Sequence, residues 1–169
     1  ACMVDATVAA MFIHGTERYI YTDIGHRMAH AELDVMMGGL THTISPPHGA
    51  CVVNSRAQTV EESPCTTGPL VGAYGSQESL YALECQYMPY SFDRQGSSQF
   101  PTILEMAKRA EFELENKSRG RGYFLMISSD RIDHAIHTNK PDKLAGELAE
   151  LNDLLGYFRS SYQNDTTVL

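Results

Sequence analysis

An apolar run at 123–127, Tyr-Phe-Leu-Met-Ile, passes within four residues into the polar stretch Arg131-Ile132-Asp133-His134-Ala135-Ile136-His137. A short apolar run bounded by Gly122 reads as a buried strand, so a carboxylate and an imidazole leave its C-terminal end together. Asp133 and His137 are spaced i, i+4. If a helical turn follows the strand, both point to one side and can hold one cation. Two ligands do not complete a site, because a catalytic zinc usually takes three protein ligands and keeps one position open.

The rest of the chain alternates in the same way. Residues 6–13 read as a short helix preceded by Asp5, a good N-cap type, and ended by His14-Gly15. Residues 33–37 read as an apolar strand closed by Gly38-Gly39, and 69–74 as a second strand. Pro101 opens a helix to about Lys117, with Ile103, Leu104, Ala107, Ala110 and Leu114 on its inner side. Leu144, Leu148, Leu151, Leu155 and Phe158 recur at helical spacing and mark another helix, and 166–169 begins one more strand. Residues 40–68, rich in Pro, His, Ser and Gly, read as an irregular loop or insertion. Strand, helix, strand, helix with ordinary connections predicts an α/β chain with a mostly parallel central sheet flanked by helices. Ligands of such sheets collect at the carboxyl ends of the strands, where the Asp133/His137 pair would lie.

Size and charge narrow the function. A chain of 169 residues has room for one core and gives no argument for two domains. With 43% apolar and 20% charged residues it is globular rather than disordered, and its net charge of -8 argues against a nucleic-acid backbone as partner. No apolar run reaches bilayer length, so no transmembrane segment is expected, and the first residues lack the pattern of a targeting signal. Cys2, Cys51, Cys65 and Cys85 contain no C-x-x-C pair, which disfavours a zinc knuckle and leaves disulfide pairing open. Two sequons, at Asn116 and Asn164, suit an exported or lumenal protein. The histidines at 26, 30, 42 and 48 stand in polar or loop contexts and read as solvent-exposed.

The stretch from Arg119-Gly120-Arg121-Gly122 through Tyr123-Phe124-Leu125-Met126-Ile127 to Arg131-Ile132-Asp133-His134-Ala135-Ile136-His137 resembles the alkaline phosphatase pattern R-G-F-F-L-x-V-E-G-x-R-I-D-H-x-x-H. Asp5-Ala6-Thr7 with Ala9-Ala10, 34–39, Met88-Pro89-Tyr90, Pro101-Thr102 with Glu105-Met106, and Asn164-Asp165-Thr166 match in the same order. The resemblance spans nearly the whole chain and is weakest over 40–68. It implies the three-layer α/β/α fold of that family, incomplete here, with 1–169 as an internal part of one catalytic domain.

In that family two zinc ions and a magnesium surround a serine nucleophile that is phosphorylated and then hydrolysed. The resemblance assigns Asp133 and His137 to one zinc and Asp5 and Thr7 to the magnesium, with Val8 where the family has proline. Hard oxygen ligands suit magnesium. Arg18 falls where the family holds the phosphate, a task for which the planar guanidinium fork is well shaped. Ser128 stands at the position of a family glutamate that binds magnesium, so that site loses a charge, and Asp130 lies two residues further on, facing a different way. His134 reads as a group that contacts a ligand or water rather than the metal.

The nucleophile's D-S motif and the T-A-D-H segment for the second zinc are expected before Ala1 and after Leu169, so the catalytic set within this chain is empty and the chain reads as cut. The implied activity is phosphate monoester hydrolysis, with the isolated chain having little or no turnover. A phosphodiesterase or other sister of the superfamily, and a degenerate non-catalytic domain favoured by Ser128, are the alternatives. Relatives are generally exported, lumenal or membrane-associated and often homodimeric.

Overall fold

A computed structural model describes residues 2–15, 17, 20–39, 46–75, 87–94 and 99–162. Three parallel strands form its centre: β1 (Val35–Gly38), β2 (Cys51–Val53) and β3 (Leu70–Ala73), in the order β1-β3-β2. Val35 pairs with Leu70 on one side of β3, and Cys51 pairs with Leu70 on the other. The middle strand is accordingly the most buried, with Leu70 and Val71 almost wholly out of water.

Side chains alternate between the two faces, and a helical layer covers each. On one face Met36 and Ala73 pack with Val4, Ala9, Tyr21, Ile24 and Met28, from α1 (Ala6–Phe12), α2 (Tyr21–Ala29) and the turn before α1. Val35, Met37 and Leu70 face the other way and pack with Val53, Tyr74, Met88 and Met106. Met106 comes from α4 (Ile103–Ser118), which lies over β1. Gly72 leaves room for this layer, because a Cβ there would stand 2.8 Å from the Tyr74 hydroxyl and 2.9 Å from the Met37 methyl.

The start of α4 is set by a capping box. Thr102 Oγ1 accepts from the Glu105 N–H at 3.1 Å while Glu105 Oε2 accepts from the Thr102 N–H at 2.9 Å. Its inner face buries Ala107, Ala110 and Leu114, as the spacing requires. The short helices α3 (Arg56–Val60) and α5 (Arg131–His137) and the long α6 (Pro141–Ser161) complete the described chain, with a 3-10 turn at Ser91–Arg94. Among them, α6 packs on α4, α5 and that turn.

Three expectations are corrected. Residues 123–127 form no strand: they take no regular structure, and Phe124 is 70% exposed. Among the described residues no backbone hydrogen bond pairs this run with another strand, so its apolar pattern lacks the ladder that would make it one. Residues 40–68 are more than an irregular loop or insertion. Although 40–45 lie outside the described residues, the stretch contributes β2 and α3, and a Cys51–Cys65 disulfide ties β2 to the approach of β3. The leucine stripe of α6 is also displaced, since Leu148 and Leu155 are exposed while Leu154 and Glu147 are buried. α2 was not expected, and the strand predicted at 166–169 lies outside the described residues.

A buried acid holds the two halves of this layer together. Glu113 of α4 is fully buried, accepts from the Cys65 N–H at 2.8 Å and pairs with Arg109 at 2.9 Å. Arg109 in turn donates to the carbonyls of Glu61 and Ser63. Removing the acid strands a buried guanidinium and a backbone donor. Glu113→Ala should therefore cost about 3–5 kcal/mol in urea unfolding, and Glu115→Ala on the exposed face less than about 0.5 kcal/mol.

Candidate metal-binding and phosphate site

α5 supplies the helical turn that the Asp133/His137 spacing needs. Its inner side is anchored by Ala135, 1% exposed, and its end is closed by Thr138 Oγ1 donating to the His134 carbonyl at 2.7 Å. The Lys140 N–H donates to the Ala135 carbonyl, and Asn139 takes a left-handed φ of 51°. That anchoring turns Asp133 and His137 outward on one face, with Oδ1 and Nε2 3.4 Å apart and both side chains largely exposed. A carboxylate oxygen and an imidazole nitrogen so placed suit one small divalent cation as two of its ligands.

His134 of α5 is linked to the N-terminal segment through Tyr87. Asp5 is buried, and the Tyr87 hydroxyl donates to its Oδ2 at 2.9 Å. The Tyr87 ring stands edge-on to the His134 imidazole, 4.4 Å between centroids at 87°. Arg131 lies over the Tyr90 ring at 3.6 Å and near the Tyr87 ring at 5.5 Å, while its Nη1 is 3.5 Å from His134 Nδ1. Burial pushes the His134 imidazole below its usual value, with Asp130 opposing and Arg131 reinforcing the shift. Burial and then the bond to Asp5 push the Tyr87 hydroxyl well up, which keeps it a donor.

Of the residues expected from sequence, the structure links Asp5 to His134 through Tyr87, and Asp133 to His137 directly. Thr7 is exposed on α1. Ser128 is half-buried beside a groove of about 360 Å³ that runs between β1, α4 and 124–131. Arg18 and His42 lie outside the described residues. His14, His26, His30 and His48 are exposed. Among the described residues no three His, Cys, Asp or Glu side chains converge on one cation position, and Asp133 and His137 stand as a pair. Tyr87 and Arg131 are the members of this side-chain cluster that sequence reasoning missed. The adjoining Met88-Pro89-Tyr90 motif was the available signal for the first, and the motif arginine itself for the second.

A parallel sheet between helical layers, with polar groups gathered where the chain enters α5, belongs to the α/β class that binds ligands beside strand ends. Residues 70–169 match the family model described as alkaline phosphatase, and the chain belongs to that family. Over 84 residues, 47% of this chain and 15% of the relative, it is 31% identical to the repressible alkaline phosphatase of Saccharomyces cerevisiae. The fold is similar to that of Thermus thermophilus alkaline phosphatase, with a TM-score of 0.77 at 21% identity, over 94% of this chain and 34% of that one. It is also similar to the cold-active enzyme of a psychrophilic Shewanella, with a TM-score of 0.72 at 20% identity, over 94% of this chain and 38% of that one. For the alkaline phosphatase of the Antarctic bacterium TAB5 the TM-score is 0.65 at 17% identity, over 94% and 46%. One mutant form of the TAB5 enzyme has Mg bound in its M3 site. The chain thus spans less than half the length of each of these relatives.

The two tyrosines of the cluster separate by their hydroxyls. Tyr90 OH is buried with no hydrogen-bond partner among the described residues, whereas Tyr87 OH serves the Asp5 carboxylate. Tyr87→Phe should cost roughly 1.5–3 kcal/mol in chemical denaturation, the range for a hydrogen bond to a charged group. Tyr90→Phe keeps the ring under Arg131 and should be nearly neutral.

Proposed function

We propose that this chain supplies part of the centre of a phosphate monoester hydrolase of the alkaline phosphatase kind. The observation that carries the reading is the Asp133/His137 pair, 3.4 Å apart on one face of α5, inside the stretch matched by the family model. In the reading, Asp133 and His137 hold one zinc, while Asp5, Thr7 and the substituted position Ser128 lie at the magnesium site. Bound zinc and magnesium would polarise the phosphoryl group and balance its charge. Arg18 forks onto two phosphate oxygens. Tyr87 fixes the Asp5 carboxylate and His134 packs on Tyr87, so the magnesium-side segment and the zinc-side helix are joined through one side chain. Arg131, held over Tyr90, adds positive charge at the start of α5 in a chain of net charge -8.

The nucleophilic serine and the second zinc's ligands fall to parts of a longer polypeptide, so the isolated chain is inactive or nearly so. In this reading the whole protein acts on phosphate monoesters rather than nucleic acid, as a homodimer that is exported, lumenal or membrane-associated. Ser128 favours a second reading, a phosphatase-like module that no longer catalyses, since a serine hydroxyl brings no charge to a magnesium ion.

A chimera decides between them. The matching third of the Thermus thermophilus enzyme is replaced by this chain, and hydrolysis of p-nitrophenyl phosphate and of bis(p-nitrophenyl) phosphate is compared. The expected result is monoester turnover that falls at least about 100-fold in His137→Ala and Asp133→Ala, since outer partners of metal sites alone cost about 10–100-fold. Ser128→Glu should lower the magnesium concentration needed for half-maximal rate. A folded chimera whose turnover survives both ligand substitutions contradicts the assignment, and one that prefers the diester supports the sister activity.

A further inference from the structure

α6 meets the 3-10 turn at Ser91–Arg94 with one stripe of residues. Lys143, Gly146, Glu147 and Glu150 stand at i, i+3, i+4 and i+7, which is a single face of a helix. Lys143 pairs with Asp93 and lies 4.1 Å over the Phe92 ring. Glu147 Oε1 accepts from the Ser91 N–H at 2.7 Å, and Glu150 Oε2 accepts from Arg94 Nη2 at 2.6 Å. Gly146 lets the two backbones approach, because a Cβ there would stand 2.7 Å from Ser91 Oγ and 3.3 Å from the Phe92 nitrogen. This face costs the helix apolar burial. Glu147 is 5% exposed, while Leu148 and Leu155 are left 48% and 53% exposed. Turning the leucines inward would stabilise the fold more, since the attraction of buried charges is largely cancelled by their desolvation. What the hydrogen-bonded face provides instead is one fixed position for the turn.

The turn in its place carries the rings that α5 packs on. The Asp93 and Arg94 N–H groups both donate to the Tyr90 carbonyl, at 2.9 and 3.1 Å, so the turn fixes Tyr90. The Tyr90 ring lies under Arg131, the Tyr87 ring stands edge-on to His134, and the Tyr87 hydroxyl holds Asp5. We infer that Glu147 is a positioning residue for the site at α5: through the Ser91 N–H it sets the turn, and through Tyr90 and Tyr87 it sets where Asp5 stands relative to α5. What is being positioned rests on the proposed function, whereas the relay itself rests on the contacts of α6. Reach rather than charge decides the role, because a backbone N–H is satisfied by any acceptor oxygen placed at hydrogen-bond distance. Glutamine puts an oxygen in the same place. Aspartate, one methylene shorter, keeps the charge and falls short.

The position of Tyr87 can be read in the 169-residue chain from the NMR resonances of the His134 ring protons, taken at about pH 8, where imidazoles are neutral. An aromatic ring with its centroid 4.4 Å away shifts them, and Tyr87→Leu gives their unshifted values. In Glu147→Asp they should move at least halfway to those values, and in Glu147→Gln they should stay where they are. Gly146→Ala favours the helix but sets a methyl against Ser91 Oγ, so it should move them as Glu147→Asp does. Leu154→Ala opens a cavity two turns further along α6, and should lower the urea midpoint while leaving the resonances in place. In the chimera, Glu147→Asp should raise the magnesium concentration for half-maximal monoester turnover about tenfold, with Glu147→Gln close to the parent. Displacement by glutamine equal to that by aspartate, resonances that ignore both Glu147→Asp and Gly146→Ala, or displacement by Leu154→Ala would overturn the inference. So would an unchanged magnesium requirement in an active Glu147→Asp chimera. A parent chimera without turnover counts against the proposed function alone, and the ring protons then decide the positioning.

Discussion

The bond from Tyr87 to Asp5 is the contact on which the proposed site depends. It joins residues 82 positions apart, and its ring carries the connection on to His134 and α5. A carboxylate buried at the entry to α1 would be costly without such a donor, and a seven-residue helix would be marginal without a packed underside. Each solves the other's problem. The pair also explains why α5 can hold Asp133 and His137 outward in a fixed relation: the helix is anchored by Ala135 and His134 on its inner side, which leaves the outer face for ligands.

Below this contact lies a sheet that is small but fully parallel. β3 is buried because it is paired on both edges and covered on both faces, and the alternation of Met36 against Val35 and Met37 assigns each side chain to its layer. The Glu113–Arg109 pair and the Cys51–Cys65 disulfide hold the connection into β3 against α4. The groove beside β1 is lined by Ser128 and Arg131 as well as by the strand, so it adjoins the start of α5.

Much of this was legible in the residues. β1 and β3 appeared as apolar runs closed by glycines or followed by a polar loop, α4 as a proline-opened amphipathic run, and α5 as the i, i+4 pair after a strand-like run. The run 123–127 misled because β propensity describes what a segment can pair as, whereas a strand also needs a neighbour with free backbone groups. Residues 40–68 misled in the opposite sense. Their loop composition concealed a three-residue strand that is held by β3 and a disulfide rather than by its own propensity. In α6 the helical period was right and the phase wrong, since burial of Glu147, which accepts from the Ser91 N–H, rotates the inner face away from Leu148 and Leu155. Tyr87 had only the adjoining Met88-Pro89-Tyr90 motif as a signal, because a contact with a carboxylate 82 residues away leaves no periodic trace.

The central claim, that Asp133 and His137 are a zinc half-site held ready by α5, is tested most directly by calorimetric zinc titration of the 169-residue chain at neutral pH. The account predicts one site of modest affinity, as two protein ligands allow, weakened at least about tenfold by His137→Ala and by Asp133→Ala. The same titration should be unchanged by His26→Ala, an exposed histidine on α2. Zinc binding that ignores the α5 substitutions, or that falls equally with His26→Ala, would contradict it.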